Sequence, residues 1–448
     1  MATIPTVNIG ILGLGVVGQG VLKHLNRNRK LLESRLGVKL KVTKIAVRDK
    51  SLKREVKVNP KILTEDGFEV VNDPGIQVVC ELIGGTTLAK KLTLQALKNG
   101  KTVVTANKAL LCEHGNQIVR AAKKSNGHIF FEASVAGGIP IIKSIREGLV
   151  ANRFPRISGI LNGTCNYILT RMQAEDKPFE EILKEAKALG YAEAEESLDV
   201  DGIDAAHKAG ILAYLAHGKW ISMKEMLIDG IRKVTTRDMA VADAMGYRIK
   251  HIASVECDAK KNSLFVGVYP ALIPKTHILG RVDDVYNAVC VSGDVVGTTV
   301  HIGRGAGQDA TASAVIGDIA DAVFSVQGAE LMNLIDEENY PLAASSKELR
   351  VAKLDEVISS FYLRISVVDQ PGVLSQVTAV MAKEKISIAR IVQDLDNNGT
   401  GKGRGSAVLT LTTHRCSESA IAKAISGLKR LRPVLSQPFL LRIADFND

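Results

Sequence analysis

Aromatic residues are scarce in this chain. They make up 4% of its 448 residues, tryptophan occurs once, and they do not interleave with the dispersed lysines and arginines. Without stacking platforms along a basic stripe, the net charge of +10 does not point to nucleic acid. A positive balance equally suits a phosphorylated cofactor and an anionic substrate. The six cysteines (Cys80, Cys112, Cys165, Cys257, Cys290 and Cys416) never form a CxxC pair. That spacing suggests neither a disulfide framework nor a zinc site, and the residues read as small buried apolar groups. The nine histidines show no metal-ligand spacing. Long apolar runs are missing too, since VNIGILGLGVVGQGVL is broken by glycines and too small-residued to span a bilayer. MATIPTVNIG has no basic stretch ahead of an apolar one, so we expect no signal peptide, no membrane attachment and a cytoplasmic location.

What is present is an ordinary globular composition, 46% apolar and 24% charged, over a length that suits two or three domains. The first third alternates strand and helix signals: TVNIGILGLG, then helical periodicity through VGQGVLKHLNRNRKLLESRL, then KLKVTKIAVRD, IQVVCELIGG, LAKKLTLQALKNG, KTVVTANK and HIFFEASV. Strands separated by helices predict βαβ units on a parallel sheet. From about 140 to 300 the helical stretches IPIIKSIREGLV, EEILKEAKALG and DAAHKAGILAYLAHG mix with alternating strands such as SLFVGVYPALI. The expected class is α/β. A dinucleotide-binding domain over 1–138 is completed by about 300–335, and an α+β substrate-binding and dimerisation domain covers 139–300. Residues 336–357 form a polar linker, and 358–448 a ferredoxin-like unit in β-α-β-β-α-β order.

Gly13, Gly15 and Gly18 spell G-x-G-x-x-G, with Val16 and Val17 between them, after a strand and at the opening of a helix. In a Rossmann-type domain the first glycine turns the chain and the second admits pyrophosphate. The third allows close packing, while the helix N-terminus faces the anion. The second strand ends at Arg48, where an NAD site usually carries an acid, so a 2′-phosphate and NADP are favoured. Asp49 beside it leaves NAD open. Thr86 and Asn107, in the loops after two later strands, are candidates for the nicotinamide ribose or carboxamide. Lys108 lies toward the substrate side.

The stretch LDVDGIDAAHK (198–208) puts Asp204 and Lys208 one helical turn apart on one face, where the carboxylate orients the ammonium. GLGVVG, TANKALL, FEASVAGGIPII, LNGTCNYIL, GYAEAEESLDVDGIDAAHK and GRGAGQDATASAV follow one another in an order and spacing that resembles homoserine dehydrogenase. VVDQPGVLSQVTAVMA resembles the ACT domain, an amino-acid-sensing module. The resemblance implies an NAD(P)H-dependent oxidoreductase that reduces L-aspartate 4-semialdehyde to L-homoserine. Lys208 would be the acid/base, Asp204 its orienting partner, and Lys108 a support for substrate and catalysis. Glu193 and Asp199 would hold the substrate beside the loop of Asn162, Gly163 and Thr164. Main-chain carbonyls of Glu132, Val135, Gly137 and Ile139 would hold sodium or another monovalent cation. Two departures stand out. Val16 replaces a frequent threonine, and GAGQDATASA changes the cofactor contacts expected around Gly307. The turn of Asp369, Pro371, Gly372, Val373 and Leu374 would bind threonine as an effector, in a homo-oligomer (dimer or tetramer). Two other readings compete: another Rossmann–ACT dehydrogenase acting on a hydroxy acid or prephenate, and a non-catalytic amino-acid sensor.

Overall fold

The computed structural model describes residues 5–125, 127–192, 196–326, 349–395 and 405–446. Six strands build the N-terminal sheet: β1 (Thr6–Leu12), β2 (Lys39–Ala46), β3 (Leu63–Thr64), β4 (Val78–Glu81), β5 (Thr102–Thr105) and β6 (Ile129–Phe130), in the order β3-β2-β1-β4-β5-β6. Every neighbouring pair is parallel, so crossovers must cover its faces. Helices α1 (Val16–Arg27), α2 (Thr87–Lys98) and α3 (Lys108–Lys124) supply them. Ile9, Ile11, Val78 and Val104 are consequently fully buried. Strand order reverses between β2 and β4 on either side of β1, opening a crevice at the strands' carboxyl ends. The helical pattern over 17–36 is divided in the structure. α1 stops at Asn28, whose backbone leaves the helical region (φ −99°, ψ 17°), and Arg29–Leu36 starts a separate helix.

The central unit has one antiparallel sheet, ordered β11-β10-β7-β8-β9, from β7 (Arg156–Ile160), β8 (Tyr247–Asp258), β9 (Ser263–Pro274), β10 (Tyr286–Gly293) and β11 (Gly297–Arg304). Between β7 and β8 run α4 (Gly163–Glu175) and α5 (Ile203–His217). α5 packs against both α3 and β9 and is buried over nearly its whole length, which is why its sequence is apolar all round. β9, read from sequence as alternating, is buried on both faces from Ser263 to Ile273. After β11, helix α6 (Gln308–Val326) returns to the N-terminal sheet, where Val315, Ile319 and Ala322 share a core with Ile9, Ile11 and Val21.

The C-terminal unit comprises β12 (Ile358–Val368), α7 (Val373–Lys383), β13 (Ile388–Leu395), β14 (Ser406–Thr413), α8 (Glu418–Leu428) and β15 (Phe439–Ile443), with sheet order β15-β12-β14-β13. This is the ferredoxin-like β-α-β-β-α-β order. β15 also pairs in parallel with β9, so the central and C-terminal sheets are continuous in one 12-stranded sheet. Part of the polar stretch expected as linker is strand: Arg350–Val351 pairs with Ser263 and Leu264 of β9, while 336–348 lie outside the described residues. Among the described residues no helix is long and apolar enough to cross a membrane.

Candidate active site

The crevice begins at the glycine turn. Gly13 is left-handed (φ 96°), and a Cβ there would sit 2.6 Å from the carbonyl oxygen of Leu82. On Gly18 a Cβ would fall 2.3 Å from the Gly13 carbonyl oxygen, whereas on Gly15 it would meet nothing within 4 Å. Gly13 and Gly18 are therefore required by packing, and Gly15 leaves the space above the turn clear. Gly15 caps α1 without a side chain, and no acid occupies the first turn. The unbonded N–H groups there form an anion site of the kind a pyrophosphate fits. Val16 is 65% exposed at this opening, while Val17 packs toward the N-terminal core. Gly307 (φ 112°) precedes α6, and Asp309 ties α6 to α1 through Lys23 at 3.2 Å and His24 at 2.7 Å.

A residue overlooked in the sequence organises the opposite rim. The carboxylate of Glu81, at the end of β4, accepts from the Ile83 amide (3.1 Å) and the Thr105 hydroxyl (2.7 Å). Burial pushes its pKa up, against these hydrogen bonds. Thr105 in turn accepts from the Asn107 amide, and Asn107 bridges the loops by donating to the Gly85 carbonyl (2.7 Å) and accepting from Leu110 N (3.0 Å). Asn107 thus shapes the loops and caps α3. Thr86 caps α2 with no side-chain hydrogen bond of its own to the helix. The signal for Glu81 was an acid closing the otherwise apolar strand VVCE.

At the end of β2, Arg48 is exposed. Asp49 turns its carboxylate to Ser51 N (2.7 Å) and Ser51 Oγ (2.6 Å), and these bonds hold its pKa below the usual range. The acid is committed to its own loop.

The reactive cluster forms where the central unit meets α3. Gly202, left-handed at φ 89°, separates the short helix Ser197–Val200 from α5, and Asp199 and Asp204 converge on the same asparagine. Asn162 caps α4 through Cys165 N (2.8 Å) and donates Nδ2 to Asp199 Oδ1 (2.7 Å) and Asp204 Oδ2 (2.8 Å). Lys208 donates to Asp204 Oδ2 (2.7 Å) and to the Leu161 carbonyl (2.6 Å), two of an ammonium's three N–H groups. Lys108, at the first position of α3, reaches Asp204 Oδ1 at 3.3 Å. Asp204 and Lys208 are each 8% exposed. Burial would raise the Asp204 pKa, but Lys208, Lys108 and Asn162 together pull it well below the carboxylate range. The result is an anion bridging two cations, one from each unit, at the mouth of the crevice. Thr164 donates to the Tyr191 carbonyl (2.7 Å), and Gly163 lies where a Cβ would crowd the Val285 carbonyl oxygen at 2.8 Å. Glu193 lies outside the described residues.

Arg232, which carried no sequence signal, holds both ends of the Asp199 helix. Its guanidinium bonds Asp201 Oδ1 (2.7 Å) and Glu196 Oε1 (3.2 Å). Ile231 N adds a bond to the Val200 carbonyl at 2.9 Å.

In the 132–139 loop, Ala136 (φ 54°) and Gly137 (φ 51°) are both left-handed, and a Cβ on Gly137 would strike the Gly305 carbonyl oxygen at 2.4 Å. The carbonyl of Glu132 accepts from Val135 N, and that of Ile139 from Ile141 N, leaving one lone pair on each. The Glu132 side chain accepts from Ile142 N and Lys143 N, both at 2.8 Å. In the C-terminal unit Pro371 and Gly372 (φ 86°) make the turn into α7, ahead of Val373 and Leu374. Asp369 accepts from Gln393 Nε2 at 3.1 Å.

Comparison with known proteins agrees with this layout. A family model described as "Homoserine dehydrogenase, NAD binding domain" matches residues 13–132, one described as "Homoserine dehydrogenase" matches 140–320, and an ACT domain model matches 361–432. A Pseudomonas aeruginosa protein named homoserine dehydrogenase is 41% identical over 441 residues, 98% of this chain and 99% of that protein. The crystal structure of a homoserine dehydrogenase from Thiobacillus denitrificans superposes with a TM-score of 0.89 at 37% identity, covering 99% of both chains. A hyperthermophilic archaeal homoserine dehydrogenase in complex with NADPH gives 0.60 at 27%, covering 71% of this chain and 98% of that one. Related to these proteins along essentially its whole length, the chain belongs to the homoserine dehydrogenase family, in a form that carries a C-terminal ACT domain.

Proposed function

We propose that this enzyme reduces L-aspartate 4-semialdehyde to L-homoserine with NADPH ahead of NADH, and that Lys208 donates the proton. The observation that carries the reading is the Lys208 ammonium, held between Asp204 and the Leu161 carbonyl with a proton left for a substrate oxygen. The glycine turn and the α1 N-terminus fit the pyrophosphate of a nicotinamide cofactor, with Gly13, Gly15, Gly18, Thr86 and Gly307 around it. When bound, the nicotinamide supplies hydride to the aldehyde carbon. As that carbon becomes tetrahedral, negative charge grows on its oxygen, and the ammonium of Lys208 stabilises it and gives up a proton. Asp204 keeps the ammonium aimed. Lys108, Asp199 and Glu193 hold the polar end of the substrate. Measuring NADPH and NADH oxidation at fixed semialdehyde tests the assignment, and no consumption with either cofactor would overturn it.

NADPH preference is supported by exposed Arg48 beside an already committed Asp49. Arg48→Ser is expected to raise the KM for NADPH about tenfold and leave that for NADH unchanged. Equal effects on both cofactors would assign the preference elsewhere. Arg232 acts as a positioning residue through Glu196 and Asp201. Surface ion pairs are individually weak, so Arg232→Ala is expected to raise the semialdehyde KM about three- to tenfold with the NADPH KM unchanged. A loss confined to thermal stability would reduce Arg232 to a structural role.

Carbonyls of Glu132, Val135, Gly137 and Ile139 are hard oxygen donors suited to sodium. Threonine at the Asp369–Leu374 turn is the proposed feedback effector. Exposed Val300 and Ile302 on edge strand β11 support a homo-oligomer joined through the central unit. We place the enzyme in the cytoplasm.

A further inference from the structure

We infer that Trp220, wedged against Gly115, is a positioning residue that sets where Lys108 stands in the active site. The inference rests on the reading of Lys108 as a residue of the substrate side. Lys108 and its partner come from different units of the molecule. Lys108 opens α3, a crossover helix of the N-terminal sheet, whereas Asp204 lies on α5 of the central unit. Their 3.3 Å bridge therefore depends on how α3 is seated on α5. The lysine is partly exposed, and an ion pair of that kind is too weak to hold two helices in register by itself.

Two contacts further along α3 supply the register. Cys112, one turn on from Lys108, packs where α5 has glycine: a Cβ on Gly210 would sit 3.4 Å from Cys112 Sγ. Gly115, a turn beyond that, lies against the indole ring of Trp220. A Cβ there would stand 2.2, 2.3 and 2.7 Å from the ring atoms Cη2, Cζ2 and Cζ3. Positions 108, 112 and 115 share one face of the helix. The three contacts thus run as a ladder from the active site to the ring.

Trp220 is held in place by shape. α5 ends at Gly218, whose left-handed backbone (φ 67°) turns the chain back on itself. The indole then stacks on Tyr214 of α5, with ring centroids 4.0 Å apart and planes inclined by 14°. Ile221, the next residue, is buried in the core. A buried indole N–H usually finds an acceptor, yet that of Trp220 has none among the described residues. Swinging out to solvent would hydrate it, so the packing on Tyr214 and Gly115 outweighs that gain.

What this means for catalysis is decided by lengths. Carbon atoms in contact rest about 3.5–4.0 Å apart, so a methyl group held 2.2 Å from the ring calls for a displacement of about 1 Å or more. Lys108 is two helical turns away, about 10 Å along a stiff rod. α3 cannot tilt or back away from the ring without moving it. A misplacement of about 1 Å costs up to about 10²-fold in rate.

The test is a double-mutant cycle on the full chain, with semialdehyde reduction followed by NADPH oxidation. Gly115→Ala is expected to lower kcat/KM for the semialdehyde about tenfold to 10²-fold. In a Lys108→Met background the same substitution should cost less than about twofold, because the residue it acts through is gone. Adding Trp220→Phe to Gly115→Ala should recover most of the loss, since phenylalanine lacks the outer ring atoms that the methyl meets. Trp220 is the only tryptophan of the chain, so its emission reports on the ring directly. In Gly115→Ala that emission should move to longer wavelength and become more open to acrylamide quenching. The proposal falls if kcat/KM of Gly115→Ala stays within about twofold of the wild type, whatever its melting temperature, since the contact then only supports the fold. It falls equally if the loss is undiminished in the Lys108→Met background, or if phenylalanine restores nothing. A wild type that consumes no NADPH would overturn the reaction reading instead. Emission then decides, and an unchanged spectrum in Gly115→Ala would show that the ring does not bear on α3.

Discussion

Lys208→Met should lower kcat about 10²–10³-fold while leaving the KM for NADPH within about twofold. Methionine keeps the length and apolar stem of the side chain and removes only the ammonium. The substrate oxygen then develops charge with neither a donor nor a proton source beside it. The fold is expected to survive, because Asp204 would keep Lys108 at 3.3 Å and the Asn162 amide at 2.8 Å. Breaking a buried pair without such remaining partners costs about 3–5 kcal/mol, so the stability loss here should be well under that. Lys208→Arg is the sharper companion. It preserves charge, yet a planar fork cannot reproduce the bonds to Asp204 (2.7 Å) and the Leu161 carbonyl (2.6 Å), and guanidinium does not release its proton. Both variants should therefore be slow in single-turnover reduction, with hydride transfer itself affected. If Lys208→Met keeps a tenth of the wild-type kcat, the proton comes from elsewhere, and Lys108 becomes the candidate.

How much of this was legible in the sequence depended on whether the signal was local. G-x-G-x-x-G states its own geometry, because turn, approach and helix packing are all made within six residues of chain. Asp204 and Lys208 are one helical turn apart, so their pairing could be read from spacing. The β-α-β-β-α-β order of the C-terminal unit was equally plain. The remaining contacts join distant segments, and no period encodes them. Asn162 meets Asp204 across 42 positions and Tyr362 meets Asp238 across 124. The parallel pairing of β9 with β15, which fuses two sheets, is of the same kind. Where local patterns misled, tertiary context explains it. β9 looked half-exposed but is buried on both faces, and the helical period over 17–36 ran straight through the break at Asn28. The loops that Asn107 ties together, one to Gly85 and one to Leu110, likewise meet only in the fold.

Gly18→Ala is expected to raise the KM for NADPH about 10²-fold and to lower thermal stability, whereas Gly15→Ala should produce the first effect without the second. The difference follows from what a methyl group would meet. On Gly18 it falls 2.3 Å from the Gly13 carbonyl oxygen and 3.1 Å from its carbon, backbone atoms that can yield only if β1 and α1 separate. Overpacking of this sort costs about 1–3 kcal/mol, and it also opens the turn on which the pyrophosphate rests. On Gly15 the same methyl meets no protein atom within 4 Å, and the residue's φ of −79° is one that alanine adopts without strain. The fold has no reason to notice the change. An anion approaching the unbonded N–H groups at the start of α1 does, because the methyl stands in its path. Melting temperature and cofactor KM, measured together on both variants, separate the two roles. If Gly15→Ala binds NADPH as the wild type does, the pyrophosphate does not lie on this turn and the placement of the cofactor must be redrawn. If Gly18→Ala is as stable as the wild type, the helix has room to shift, and the third glycine is there for the ligand alone.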